Sequence, residues 1–177
     1  MSSVKLHDKE FSKFISFEEI QVAIEKIAAE INTNYKNKKP LFVAVLNGSF
    51  MFAADLMKKI TVDCEISFVK LASYHGVNSS GSVTELIGFT ENVEHRDIII
   101  IEDIVDTGLT LEKVIEIFKH KNCASLKIAT LLLKPDAFKK DYAVDYVAIK
   151  IPNEFIVGYG LDYDGLGRNL KDIYKVN

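Results

Sequence analysis

The stretch Ile98–Leu111, "IIIIEDIVDTGLTL", decides the fold. Four consecutive isoleucines are β-branched and apolar on both alternating faces, which suits a strand covered on two sides. Glu102, Asp103 and Asp106 come next, mixed with Thr107, Gly108 and Thr110, and then Leu111, Val114, Ile115 and Phe118 recur at helical spacing. The stretch therefore reads as a central strand, a turn and a helix, with three acids at the strand's carboxyl end. In an open α/β sheet that edge is where ligands bind.

Working outward, the same alternation repeats. "SFEEIQVAIEKIAAEI" sets Ser16 three residues before Glu19, the spacing of a capping box, with Ile20, Ile24, Ile27 and Ile31 on one helical face. "LFVAVL" after Pro40 is a short continuous apolar run and reads as a covered strand. "NGS" interrupts it, and Phe52, Ala53, Leu56 and Ile60 suggest another helix. "CEISFVKLASY", "KIATLLL" and "DYVAIKI" supply three more strands. Strands separated by helices imply a largely parallel α/β sheet with flanking helices. Ser73 to Gly88 breaks the pattern with three glycines and four serines. By composition it is either a disordered connection or a functional lid.

Composition sets the limits. At 177 residues and 48% hydrophobic, the chain can bury one good core, so a single domain over residues 1–177 is the expectation. Net charge is only -3, with acids and bases interleaved, so no basic face calls for nucleic acid. An anionic ligand must be met locally. Cys64 and Cys123 stand apart with no CxxC spacing and are expected to be buried free thiols. The amino terminus has no signal-like apolar run and no stretch reaches the ~20 apolar residues of a membrane span, so a cytoplasmic protein with no membrane partner is expected.

The acid-flanked turn has its own chemistry. Successive amides of Asp106 to Thr110, with Gly108 permitting close approach, can cradle a phosphate at the positive end of the following helix. Glu102 and Asp103 would repel a bare phosphate, yet they suit sugar hydroxyls or a hard cation such as Mg²⁺. Together these describe a sugar phosphate with its metal. The bland alternative is an acidic helix N-terminus stabilised by the helix dipole, which accounts for one acid better than for the whole string.

"IIIIEDIVDTGLTL" resembles the phosphoribosyl-pyrophosphate motif of the type I phosphoribosyltransferases, and its flanks are similar to the hypoxanthine-guanine members of that family. The resemblance runs from about Leu41 to Tyr174 through "LNGSF", "LASYHG", "LLLKPDAF" and "IPNEFIVGYGLDYDGLGR", in the family's order. It implies a mostly parallel twisted sheet with flanking helices. To this it adds a mobile loop at about 73–88, with Ser73 and Tyr74 at its base, and a base-recognition hood from about 134–177 joined by the N-terminal residues. The activity implied is displacement of pyrophosphate from phosphoribosyl pyrophosphate by a 6-oxopurine. Homo-oligomers, dimers or tetramers, are usual in the family.

The resemblance also implies roles. Asp106 would be the general base that takes the proton from the purine imidazole nitrogen, its rival role being a helix N-cap. Thr107, Gly108, Leu109 and Thr110 would hold the 5′-phosphate with Asp106, and Glu102 and Asp103 would face the ribose hydroxyls and the metal. Lys134 would donate to the purine O6; a lysine is only a donor, which selects against adenine. Phe155 would stack on the base, Ile156 and Val157 would read its edge through the backbone, and Asp162 would bind Mg²⁺ and approach the base. Asn47, Gly48 and Arg168 would take pyrophosphate, Arg168 as a permanently charged fork. Taken singly, Lys134, Asp162 and Arg168 read as surface charges, Phe155 as core and His75 as a solvated loop residue.

In the family the bond before position 47 is often a non-proline cis peptide. This chain has Asn47 where lysine is commoner, Ser49 in place of glycine, and Leu109 where a basic residue is frequent. Losing two cations beside bound phosphates should weaken substrate affinity or shift neutralisation to Mg²⁺ and Arg168. Two other classes fit less well. A non-catalytic sensor of phosphoribosyl pyrophosphate would be expected to lose Asp106 or Lys134, and a dinucleotide-binding enzyme would carry a G-x-G-x-x-G after a strand, which this chain lacks.

Overall fold

The computed structural model describes residues 3–72, 84–87 and 91–177, with the backbone alone for 71, 72 and 84–87. The larger of two sheets is built from β3 (Leu41–Leu46), β4 (Glu65–Ala72), β5 (Thr84–Ile87), β6 (Asp97–Val105), β7 (Ser125–Leu133) and β8 (Tyr146–Lys150), in the order β5-β4-β3-β6-β7-β8. All neighbours run parallel except β5, which pairs antiparallel with β4 at the edge. Helices α1 (Phe17–Asn34), α2 (Phe50–Met57) and α3 (Leu109–Phe118) connect them. The parallel α/β expectation is thus met, with one antiparallel edge strand added.

Ile98 to Ile101 lie in β6 between β3 and β7 and are fully buried. Ile99 and Ile101 join one core with α1 and α2, whereas Ile98 and Ile100 join a second core with Leu111, Val114 and Phe118 of α3. A strand with a helical layer on each face has no polar side, which is why four isoleucines in a row are tolerated. The Ser16–Glu19 capping box forms in full, and Ile20, Ile24, Ile27 and Ile31 are buried. The second expected helix ends at Met57, so Ile60 falls in the turn beyond it.

A smaller antiparallel sheet, order β1-β2-β10-β9, joins the two ends of the chain: β1 (Ser3–Leu6), β2 (Lys9–Ile15), β9 (Ile156–Val157) and β10 (Ile173–Val176). Residues 146–150 form β8 of the large sheet, because Tyr146 to Lys150 carry on the parallel register beside β7, so only the chain from about 156 onward crosses to the small one. Within the expected loop at about 73–88, Thr84–Ile87 pairs with β4 as a strand; Ser73, Tyr74 and His75 lie outside the described residues. Cys64 and Cys123 are free thiols, but both are only partly buried, which corrects the expectation of buried ones.

Candidate active site

The carboxyl ends of β6 and β7 stand side by side, and the Lys134 amide donates to the Val105 carbonyl at 2.9 Å across them. Just beyond, the chain turns at Gly108, whose φ of +82 a side chain would strain, and enters α3. The Glu112 amide is the first to bond within that helix, to the Gly108 carbonyl at 2.9 Å. The amides before it have no intrahelical acceptor and face the helix's positive end. They border a cleft of about 290 Å³ lined by Val45, Gly48 and the continuous run from Glu102 to Leu111. Thr107, Leu109 and Thr110 are exposed at its mouth, ready for a ligand. Gly108, not Asp106, is the helix N-cap, which removes the bland reading of Asp106.

Asp106 instead meets Lys134. Nζ lies 2.8 Å from Asp106 Oδ2, with the Lys134 side chain 9% exposed and that of Asp106 45% exposed. Lys134 is therefore no surface lysine. Its charge is held inside the site by one partly solvated carboxylate.

Glu102 and Asp103 differ in surroundings. Glu102 is buried, and its Oε2 has no hydrogen-bond partner. Burial, reinforced by the neighbouring Asp103 charge, pushes its carboxyl well above the usual range. Asp103 is pushed up to about 6, chiefly by burial; its own and the Ile104 amide pull it down, as does Arg168, while Asp162 pushes it up. These are acids without counter-charges of their own, an arrangement that favours an incoming cation or hydroxyl donors.

Of the pyrophosphate candidates, Gly48 lines the cleft, and Arg168 reaches it through Gly160. Gly48 is pressed so closely on the Asp103 carboxylate that a Cβ there would overlap it, and a Cβ on Gly160 would overlap the Gly48 carbonyl. Arg168 donates to the Gly160 carbonyl at 2.8 Å and pairs with Asp162 at 2.7 Å. Asp103, Gly48, Gly160, Arg168 and Asp162 thus form one contiguous chain of contacts. Asn47 is exposed at the turn, its bond to Leu46 is cis, and Ser49 is buried with its hydroxyl on the Val45 carbonyl at 2.6 Å. Among the described residues no group of three His, Cys, Asp or Glu side chains could hold a metal, so Glu102, Asp103 and Asp162 are not a preassembled cage.

Phe155 is 44% exposed and meets Tyr163 edge to face with ring centroids 5.6 Å apart, which overturns its reading as ordinary core. Ile156 and Val157 are buried in β9, paired to Lys175 and Tyr174 of β10. These three, with Asp162, Arg168 and Lys134, lie outside the lining of the cleft itself.

Tyr159 and Asp55 were not singled out from sequence. The fully buried Tyr159, at φ +50, donates its hydroxyl to Asp55 of α2 at 2.6 Å, with the Gln21 amide on the same carboxylate oxygen at 2.7 Å. This network anchors the residue before Gly160 to both α1 and α2. No local sequence signal announces it, because its members are drawn from three distant segments.

A central strand ending in an acid-flanked anion cradle, with an exposed aromatic just before β9 and an arginine in the connection from β9 to β10, is the arrangement of a phosphoribosyl-transferring protein. Residues 16–164 match the phosphoribosyl transferase domain model, and the chain belongs to that family. Among its relatives, the hypoxanthine-guanine phosphoribosyltransferase of Streptococcus mutans is 48% identical over 88% of this chain and 87% of its own. The enzyme of the same name from Bacillus subtilis is 44% identical over 93% and 91%. In structure, a hypoxanthine phosphoribosyltransferase from Staphylococcus aureus superposes with a TM-score of 0.87 at 40% identity, covering 94% of this chain and 91% of that one. A hypoxanthine-guanine phosphoribosyltransferase from Bacillus anthracis gives 0.86 at 37% identity, covering 94% and 96%.

Proposed function

We propose that this chain is a purine-salvage enzyme that transfers the 5-phosphoribosyl group from phosphoribosyl pyrophosphate to hypoxanthine and guanine, releasing pyrophosphate. The observation that carries it is the Lys134–Asp106 pair standing beside the open amides of the α3 N-terminus. It puts a donor-only side chain and a proton acceptor next to a phosphate cradle. The reaction forms a bond from a purine nitrogen to C1 of the ribose as the bond from C1 to the pyrophosphate oxygen breaks. Positioning and charge stabilisation do most of the work in such a displacement.

In this reading the amides and hydroxyls of Asp106 to Thr110 hold the 5′-phosphate. Asp106, freed from Lys134 when the base enters, accepts the imidazole proton of the purine. Lys134 then donates to O6, Phe155 lies against the purine face, and the backbone of Ile156 and Val157 reads its edge. Arg168 turns toward the pyrophosphate with Gly48 and Asn47. Ser73 and Tyr74 are read as the base of a lid that excludes water from an oxocarbenium-like state.

Mg²⁺ fits the acids present. Glu102 carries a buried, unpartnered oxygen, and burial together with the nearby Asp162 charge makes ionised Asp103 costly. Such a set suits an ion that arrives with substrate phosphates and keeps several waters rather than one caged by the protein. When bound, it would neutralise the departing pyrophosphate. Glu102 and Asp103 would also take the ribose hydroxyls.

No helix among the described residues is long and apolar enough to cross a membrane, and the cytoplasm is the proposed place of action. A homo-oligomer, dimer or tetramer, is proposed through the outer face of β4. Ile66 and Phe68 pair in register with Phe42 and Ala44, on the sheet face that α2 covers, yet they remain exposed, as does Phe50 at the start of α2.

The test is an assay of the purified protein with phosphoribosyl pyrophosphate and Mg²⁺ against hypoxanthine, guanine, xanthine and adenine. Turnover of the first two without adenine supports the reading. Turnover of adenine, or of none of the four, contradicts it.

A further inference from the structure

Residues 138–142 cross over the cradle from outside the helix that forms it. The Tyr142 hydroxyl donates to the Gly108 carbonyl at 2.7 Å, the same carbonyl that accepts the Glu112 amide. Phe138 packs edge to face on Tyr142 with ring centroids 5.4 Å apart, and Lys140 Nζ pairs with Glu112 at 2.6 Å. A Cβ on Gly108 would come within 2.7 Å of the Tyr142 oxygen, 2.9 Å of Phe138 Cε2 and 3.0 Å of Lys140 Cγ. Three side chains from one segment therefore close on a single glycine of the cradle.

We infer that Tyr142 is a positioning residue for the 5′-phosphate, fixing the Gly108–Leu109 peptide plane so that the Leu109 amide faces the ligand, while Lys140 neutralises Glu112 beside it. This rests on the reading of residues 106–110 as the phosphate cradle. The peptide unit is rigid, with its carbonyl and amide pointing opposite ways, so holding the Gly108 oxygen from outside aims the Leu109 N–H inward. Glycine alone cannot supply that hold. Burial and the Glu112 and Glu102 charges push the Tyr142 hydroxyl up to about 12, so it remains a donor across the working pH range. Glu112 lies in the first turn of α3, where an unpaired carboxylate would repel an incoming phosphate; Lys140 removes that repulsion.

Tyr142→Phe keeps the ring contacts and removes only the hydroxyl. The expected result is a KM for phosphoribosyl pyrophosphate raised about three- to tenfold, the loss of one aligned hydrogen bond. KM for hypoxanthine and kcat should stay within about twofold. Lys140→Ala should raise the same KM selectively, and adding Glu112→Gln should restore it. An unchanged KM in Tyr142→Phe, or both KM values and kcat worsening together, overturns the role of Tyr142. Failure of the Glu112→Gln rescue overturns that of Lys140. Thr110→Ala separates this from its premise: if that variant raises KM for phosphoribosyl pyrophosphate and Tyr142→Phe does not, the positioning role alone fails. If Thr110→Ala has no effect, the cradle reading fails.

Discussion

Lys134 Nζ sits 2.8 Å from Asp106 Oδ2, the lysine side chain almost enclosed and the aspartate nearly half in solvent. The asymmetry sets what each substitution does. Asp106→Asn strands a buried ammonium without its counter-charge, whereas Lys134→Ala leaves a carboxylate that water can still solvate. Asp106→Asn is therefore expected to lower thermal stability by on the order of 1–3 kcal/mol, and Lys134→Ala by less. Differential scanning calorimetry of the two variants checks the order.

The same pair separates chemistry from recognition. Removing the proton acceptor in Asp106→Asn should lower kcat on the order of 10²- to 10⁴-fold with hypoxanthine. Lys134→Ala should instead narrow the gap between hypoxanthine and adenine, because a donor to O6 no longer discriminates. Steady-state assays with both bases distinguish the two; a Lys134→Ala enzyme that still rejects adenine as strongly as the parent contradicts the assignment.

The close approach of Gly160 to Gly48 makes a steric prediction. Gly160→Ala would drive a methyl group into the Gly48 carbonyl at φ +101, and Gly48→Ala would drive one into the Asp103 carboxylate. Each should cost about 2 kcal/mol or more, with loss of phosphoribosyl-transfer activity. At Gly165 an added Cβ meets nothing within 4 Å although φ is +86, so Gly165→Ala should show only the backbone strain, about 1 kcal/mol. Urea unfolding of the three variants tests the ranking.

Asp103 gives a pH dependence with a definite sign. Its carboxyl is raised in the folded chain, to about 6 from 3.8, so between these values the folded state binds more protons than the unfolded one. Stability from this group accordingly falls as pH rises from about 4 to about 6, and its ionised form remains a cost above that. Asp103→Asn should stabilise the ligand-free protein at pH 7.5, by on the order of 1–2 kcal/mol after allowance for its partial exposure, and should bring little gain near pH 4. A thermal melt series across that range decides it.

What could be read from the sequence followed local physics. The isoleucine run, the Ser16–Glu19 box and the periodic apolar residues of α1 and α3 each carry their signal within a few positions, and the large sheet assembles from them. The small sheet was not legible strand by strand. β1 and β2 are joined at His7 and Asp8, with His7 at φ +51 and without the Asn-Gly or Asp-Gly signal of a hairpin turn, and β10 is four residues long. The strand β5 lies in a Gly- and Ser-rich stretch whose composition speaks against one. Within the site, residue types were readable from the motif, but their partnerships were not. Lys134 with Asp106, Gly160 with Gly48, and Tyr159 with Asp55 are contacts between residues 28 to more than 100 positions apart, and no periodicity encodes them.

The central claim is that the turn after β6 is a cradle for ribose 5-phosphate. The direct measurement is a crystal structure of the protein with inosine 5′-monophosphate. The account predicts the phosphoryl oxygens within hydrogen-bond reach of the amides of residues 106–110, the purine O6 on Lys134 Nζ and the Lys134–Asp106 pair opened. A phosphoryl group bound elsewhere, with that pair intact, would contradict it.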